Sequence, residues 1–97
     1  MLKTKADYKR AFAIVTELLN EWDPYSLIAS GAPPDEFDAE AGAIVRRLSE
    51  IGSPQDASRI ISEVFSHWMS ADDFPIVSCI DVGQDLYIAL RKEEWVP

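Results

Sequence analysis

The chain has 97 residues, the size of one domain, and we expect residues 1–97 to form a single unit. Its 47% hydrophobic and 27% charged residues are ordinary for a soluble globular protein, and no apolar run predicts a membrane span. The net charge of −8 would repel nucleic acid phosphates, so we expect no nucleic acid partner. Because no apolar run predicts a span, we expect no membrane partner either.

The acidic residues are concentrated in two blocks. Residues 11–45 contain seven acids and no Lys or Arg, and residues 60–90 contain five acids and no Lys or Arg. Such blocks would steer a basic protein partner towards the chain, although acidity also serves solubility alone. The basic N-terminus lacks an apolar signal core and Cys79 is the only cysteine, so we expect a cytoplasmic protein.

The first helix is predicted over residues 5–21. Thr4 and Asp7 have the spacing of a capping box. The apolar residues that follow recur at helical spacing on one face. They are Tyr8, Ala11, Phe12, Val15, Leu18, Leu19 and Trp22.

Residues 22–40, which follow the first predicted helix, contain helix start and stop signals and are therefore not a generic polar loop. Asp23 followed by Pro24 predicts the start of a short extra helix, which Gly31 can end in a left-handed conformation. Pro33 and Pro34 predict extended or turn geometry before the next helix. The acids Asp35, Glu36 and Asp38 are predicted to lie in the first turn of that helix, where they complement its dipole. Glu40 is predicted to be a solvated or partner-facing charge beyond that turn.

Two further helices follow on either side of Gly52. The second is predicted from an apolar stripe consisting of Phe37, Ala41, Ile44, Val45, Leu48 and Ile51. Ser53 and Pro54 start the third as cap and first helical residue. Its stripe consists of Ala57, Ile60, Ile61, Val64, Phe65 and Trp68. The short link makes these helices antiparallel neighbours.

The last segment allows two interpretations. Ser78 with Asp81 resembles a capping box, and Cys79, Val82, Leu86 and Leu90 fit a fourth helix. The alternative is a β-hairpin with strands at 75–82 and 86–91, because several of these residues favour strands. We favour the helix, since a fourth helix would fill the groove left by three. The predicted fold class is therefore all-α, a compact antiparallel bundle of about four helices.

The candidates for chemistry are few. Glu63 and His67 share a helix face, but a zinc site needs three or four ligands, so we expect no metal. Cys79 with His67 lacks an orienting group and an oxyanion loop. The acids from Asp35 onwards do not match a calcium loop, and the scattered glycines form no phosphate loop. We expect no cofactor and no enzymatic activity.

One motif resembles a known family. The residues that carry it are Trp22-Asp23-Pro24, Ile28, Gly31-Ala32-Pro33, Asp35-Glu36-Phe37-Asp38 and Glu40. Together they resemble the signature of the YugE-like family, small bacterial proteins classed as a domain of unknown function. The resemblance covers most of the chain, since that family also has helices before and after this element. It implies a compact, mainly α-helical domain and transfers no activity.

Two hypotheses about function follow. The first is a non-catalytic acidic module that binds a protein partner, most concretely a bacterial immunity protein that neutralises a basic toxin domain. The similarity to immunity proteins consists only of small size, a single domain, an acidic charge and the lack of recognisable catalytic residues. The predicted partner-binding residues are Asp23, Tyr25, Asp35, Glu36, Asp38 and Glu40. The second is a housekeeping protein of the YugE-like type, in which the same segment is mainly structural.

Overall fold

A computed structural model describes residues 2–70 and 72–97. It contains four α-helices: α1 (Lys5–Trp22), α2 (Asp38–Arg46), α3 (Pro54–Trp68) and α4 (Ile80–Lys92). No strand occurs among the described residues, so the all-α prediction is confirmed and the β-hairpin alternative for the last segment is wrong. No helix in the described part of the chain is long and apolar enough to cross a membrane.

The four helices form a closed ring around one core. Each helix packs against the next one in the chain, and α4 returns to pack against α1. The most extensive of these contacts is between α3 and α4. Every helix contributes fully buried side chains to a single hydrophobic cluster. Burial of this shared apolar face is the main term that holds the helices together.

The capping box at the start of α1 is present as predicted. The Thr4 hydroxyl accepts from Asp7 N at 3.1 Å, and the Asp7 carboxylate accepts from Thr4 N at 3.2 Å. The buried face of α1 consists of Ala11, Val15 and Leu19. Tyr8, which was predicted to lie on that face, is half exposed because it precedes the first residue of α1 that the bundle covers.

The second helix is shorter than predicted. It begins at Asp38 because residues 34–37 form turns with i to i+3 bonds, from Glu36 N to Pro33 O and from Asp38 N to Asp35 O. These turns place Phe37 at 0% exposure in the core. The prediction that Asp35 and Glu36 lie in the first helical turn is therefore wrong. After Arg46 the α-helix ends, and a short 3-10 turn over Leu48–Glu50 completes the stretch.

The start of α3 follows the predicted signals. The Ser53 hydroxyl accepts from Asp56 N at 3.1 Å, with Pro54 in the first turn. The Asp56 carboxylate accepts from Gly52 N at 2.9 Å and so fastens the connection before the helix. Trp68, predicted as a core residue, is 51% exposed because it is the last residue of α3 and projects beyond the neighbouring helices.

A 3-10 turn over Ile76–Cys79 leads directly into α4. The predicted Ser78–Asp81 capping box is wrong, because Ser78 lies inside this turn and makes no side-chain cap bond. Further along α4, Gly83 is buried against Ser58 of α3. A Cβ at Gly83 would stand only 2.1 Å from Ser58 Oγ and 2.7 Å from Ser58 Cα. The missing side chain therefore permits the close approach of α3 and α4.

Aromatic rings join the connections between the helices to the core. Phe65 of α3 lies 5.0 Å from the Trp22 ring, 5.1 Å from the Phe74 ring and 6.0 Å from the Phe37 ring, between centroids. Trp22 ends α1, Phe37 precedes α2 and Phe74 lies between α3 and α4. One side chain therefore contacts both ends of the α1–α2 connection and the α3–α4 connection, through aromatic pairs worth about 0.5–1.5 kcal/mol each beyond their buried area.

Replacing Gly83 with Ala tests the close approach of α3 and α4. The added methyl group collides with the backbone of Ser58 as well as its hydroxyl, so the helices must separate. We expect a loss of about 2 kcal/mol or more in the free energy of unfolding, measured by urea denaturation.

Gly42→Ala is the matched control, since its Cβ would meet only the end of the Arg46 side chain at 3.5 Å. This substitution should stabilise the protein by about 0.5 kcal/mol, because Gly42 lies inside α2. Equal effects of the two substitutions would contradict the packing argument.

Candidate functional site

The segment between α1 and α2 folds around the carboxylate of Asp23. One carboxylate oxygen accepts from Ile28 N at 2.7 Å and the other from Ala29 N at 3.0 Å. A 3-10 turn over Pro24–Ser26 replaces the predicted short helix, and a second turn closes with Ala32 N bonded to Leu27 O. Gly31 has the predicted left-handed conformation, with φ +104°. Asp23 thus caps the second turn, five residues on, and not the first.

Tyr25 is the exposed aromatic residue of this segment. Its φ of 64° is left-handed, and its ring is 52% exposed. The ring packs edge-on against Phe74 at 5.5 Å, and the hydroxyl donates to Asp73 at 2.5 Å. This hydrogen bond raises the pKa of the Tyr25 phenol. Tyr25 therefore binds the connection between α3 and α4.

An open groove of about 680 Å³ runs between α1 and the turns before α2. Its residues are Phe12, Ala13, Thr16, Glu17, Asn20, Glu21, Pro34, Asp35 and Asp38. The Asn20 amide donates to Pro34 O at 3.0 Å and ties the two walls together. Of the six predicted partner-binding residues, two, Asp35 and Asp38, line this groove.

The groove is acidic and makes no ion pair within the described residues, although Arg10 and Lys92 share an adjacent hollow with Glu17 and Glu21. Four carboxylates line it and no Lys or Arg does. None of the four takes part in an ion pair within residues 2–70 and 72–97. The ion-paired arginines Arg10, Arg47 and Arg59 bind acids elsewhere: Glu50, Asp56, Glu63 and Glu93. The field in the groove is therefore negative, and the apolar groove residues sharpen it by limiting solvent screening.

Glu17 and Glu21 were missed by the sequence-based prediction. They lie one turn apart on α1, on the wall opposite Asp35 and Asp38. Like charges four residues apart destabilise a helix slightly, so this pair was a signal that could have been read. What periodicity could not show is that the turns at 34–38 lie against this part of α1.

Glu40 does not lie at the surface, and its prediction as a solvated charge was wrong. It belongs to the first turn of α2 and is 5% exposed. Its Oε1 atom has no hydrogen-bond partner among the described residues. Burial raises the pKa of this carboxyl, and the nearby charges of Glu36 and Asp38 raise it further. Glu36 itself is exposed.

The other candidate residues are not brought together. Glu63 binds Arg47 and Arg59, while the exposed His67 packs against the Trp68 ring at 5.4 Å. Cys79 is fully buried, which raises the pKa of its thiol to about 11, so it stays protonated near neutral pH. Across the described residues no group of three His, Cys, Asp or Glu side chains is placed to hold a metal ion.

Removing the Asp23 carboxylate should open the turn that it caps. We expect Asp23→Ala to cost about 1–2 kcal/mol in the free energy of unfolding, because two backbone donors lose their acceptor. Asp23→Asn keeps one acceptor oxygen and tolerates the left-handed backbone, so it should cost less. Thermal denaturation of both variants would measure this, and an unchanged Asp23→Ala would refute the capping role.

Glu40 makes stability depend on pH in a definite direction. Its pKa is raised on folding, so its contribution is fully present below its ordinary value of 4.5 and is lost as pH rises through the folded value. Glu40→Gln should therefore stabilise the protein by about 1 kcal/mol near pH 7 and progressively less in acid. The exposed Glu36→Gln is the control, expected to stay within about 0.5 kcal/mol. Urea denaturation across this pH range measures both, and a destabilised Glu40→Gln would refute the prediction.

Comparison with known proteins identifies the family. A search of curated proteins found no significant match. The same holds for a search of solved structures. Residues 14–94 match the family described as Domain of unknown function (DUF1871), a span that includes the groove acids and all of α2, α3 and α4. Because this match covers most of the chain, the protein belongs to the DUF1871 family.

Proposed function

We propose that this chain is a non-catalytic cytoplasmic module that binds a basic segment of another protein in the groove between α1 and residues 34–38. The observation that supports the proposal is the set of four groove carboxylates without an ion-pair partner among the described residues. A surface kept acidic for solubility alone does not need these charges on facing walls of one groove. A basic partner would neutralise them together.

The proposed set of contact residues differs from the set predicted from the sequence, because three residues leave it and two join it. Asp35 and Asp38 stay in it, with Glu36 on the same turns, and Glu17 and Glu21 join from α1. The predicted residues Asp23, Tyr25 and Glu40 make internal bonds or are buried. Their proposed part is to hold the wall in place.

The groove suits Lys and Arg side chains in particular. Phe12, Ala13 and Pro34 offer apolar surface on which an aliphatic stem can lie. The charged end of that stem would then reach the carboxylates and form charge-assisted hydrogen bonds. The negative field would also accelerate encounter with a basic partner, so we expect affinity to fall with ionic strength.

The most concrete form of the proposal is an immunity protein that neutralises a basic toxin domain. Its support is the acidic groove together with the small size of the chain. The more specific assignment within the family, to the YugE-like proteins, is also a proposal. Its support is the Trp22-Asp23-Pro24 motif and the acids that follow it.

The alternative is a housekeeping protein in which the segment over residues 22–40 is chiefly structural. One observation favours it: the Asp23 carboxylate and the Tyr25 hydroxyl both bind within the chain. In that case the acids of the groove would serve solubility, and neutralising them would leave every interaction of the protein unchanged.

The two proposals are distinguished by a pair of variants of equal charge. Asp35→Asn with Asp38→Asn neutralises one wall of the groove, and Asp72→Asn with Glu94→Gln removes two exposed acids elsewhere. In the parent protein, titration with an oligoarginine peptide should change the amide NMR chemical shifts of the groove residues. We expect about tenfold weaker binding for the groove variant only, or about 1.4 kcal/mol.

The same variants test the natural partner in a pull-down from the producing bacterium. A partner recovered equally with both variants would overturn the role of the groove. The immunity function needs a further outcome: the captured protein should be toxic when expressed alone and harmless when this chain is co-expressed. A harmless captured protein would reject immunity and leave groove binding intact.

A further inference from the structure

A stripe of exposed aliphatic residues runs along the outer side of α4. All four exposed large aliphatic side chains of the described residues lie between positions 76 and 88. They are Ile76 at 51%, Val77 at 72%, Ile80 at 42% and Ile88 at 52% exposure. Ile80, Gln84 and Ile88 follow helical spacing on one face of α4, and Val77 precedes them in the 3-10 turn that leads into the helix. We call Val77, Ile80, Gln84 and Ile88 the α4 stripe.

The described chain leaves 42–72% of each aliphatic residue of the stripe uncovered, although Ile80 borders α3 and Ile88 borders α1. The opposite side of α4 already packs against α3 and α1 through Cys79, Val82, Leu86 and Leu90. Exposed Ile and Val gain nothing from burial there, and they are poorer helix formers than Ala, Glu or Lys. An uncharged aliphatic stripe on a protein of net charge −8 is typical of an interaction surface.

The charges beside the stripe indicate what covers it. Asp81 and Asp85 lie in the first half of α4, and Arg91 and Lys92 lie in its last turn, all exposed. None of these four charges is ion-paired within the part of the chain that the structure describes. A second α4 laid antiparallel would bring its basic end beside the acidic half of the first. The two helix dipoles would also be opposed, which is favourable.

We propose that two copies of this chain associate through antiparallel contact of their α4 stripes. A two-fold axis beside Gln84 makes the stripe self-complementary, with Ile80 of each copy opposite Ile88 of the other. Asp81 of each copy then lies about one helical turn from the other copy's Arg91 along the axis, whereas Asp85 lies beside the two-fold axis. The contact consists of a single helix face, so the buried area is small and we expect the dimer to exchange with the monomer. It is independent of the proposed groove function, which uses α1 and residues 34–38.

Sedimentation of the full chain from about 10 µM to about 1 mM tests the association. The parent protein should shift from monomer to dimer over this range. Ile80→Glu should weaken the dimer at least about tenfold, because it buries a charge in the contact. Tyr8→Glu adds the same charge at an equally exposed site on α1 and should not change it. A parent that stays monomeric, or equal effects of the two variants, would overturn the proposal.

Disulfide trapping tests the antiparallel direction. Gln84→Cys would meet its own copy at the two-fold axis and should form a linked dimer on oxidation, whereas the buried Cys79 stays unreactive. Val77→Cys would lie about 20 Å from its own copy in this arrangement and should not link. Faster linking of Val77→Cys would indicate parallel helices and overturn the proposal. Unchanged circular dichroism spectra would show that each variant is folded.

Discussion

Two of the three connections between the helices of this protein depend on the ring of Phe65 for their position. It stands at 0% exposure in α3 and contacts the rings of Trp22 and Phe37, at the two ends of the α1–α2 connection, and of Phe74 between α3 and α4. Helices joined by such connections could pack in several ways, because aliphatic contacts specify shape only loosely. A central aromatic ring with three edge or tilted neighbours restricts these alternatives. The groove depends on this packing as well, because Phe37 belongs to residues 34–38, which form the wall opposite α1.

The helices could be predicted from the sequence because their causes are local. Capping by Thr4 and Ser53 and apolar spacing on four faces depend only on neighbouring residues, and the structure retains both. Helix ends were less predictable, as the late start of α2 and the exposed Trp68 show. Those depend on which side chains the tertiary structure covers. Phe37 is drawn into the core, and the turns before it are the backbone geometry that lets it reach Phe65.

The candidate site was predictable only in part for the same reason. Asp35 and Asp38 stood out by composition, while Glu17 and Glu21 belong to an ordinary amphipathic helix and join them only in three dimensions. Glu40 shows the opposite error. Its charge predicted a solvent-exposed side chain, but its position in the first turn of α2 places it on the buried side of the helix, next to Ala41. Sequence therefore identified the acidic segment and could not assign each acid to a groove, a cap or the interior.

The unfavourable features of the chain concentrate where the groove lies. Among the described residues, three of the four non-glycine residues with positive φ are Asp23, Tyr25 and Ser26. The like-charged pair on α1 and the buried Glu40 oxygen, which has no partner among the described residues, lie with them between residues 17 and 40. Elsewhere caps, ion pairs and packing agree with one another. Local conflicts of this kind persist in folded proteins chiefly at functional sites, where strain is offset by surrounding contacts. The contacts of Asp23 and Tyr25 provide that offset here, which supports the proposal that the adjacent groove wall is a binding surface.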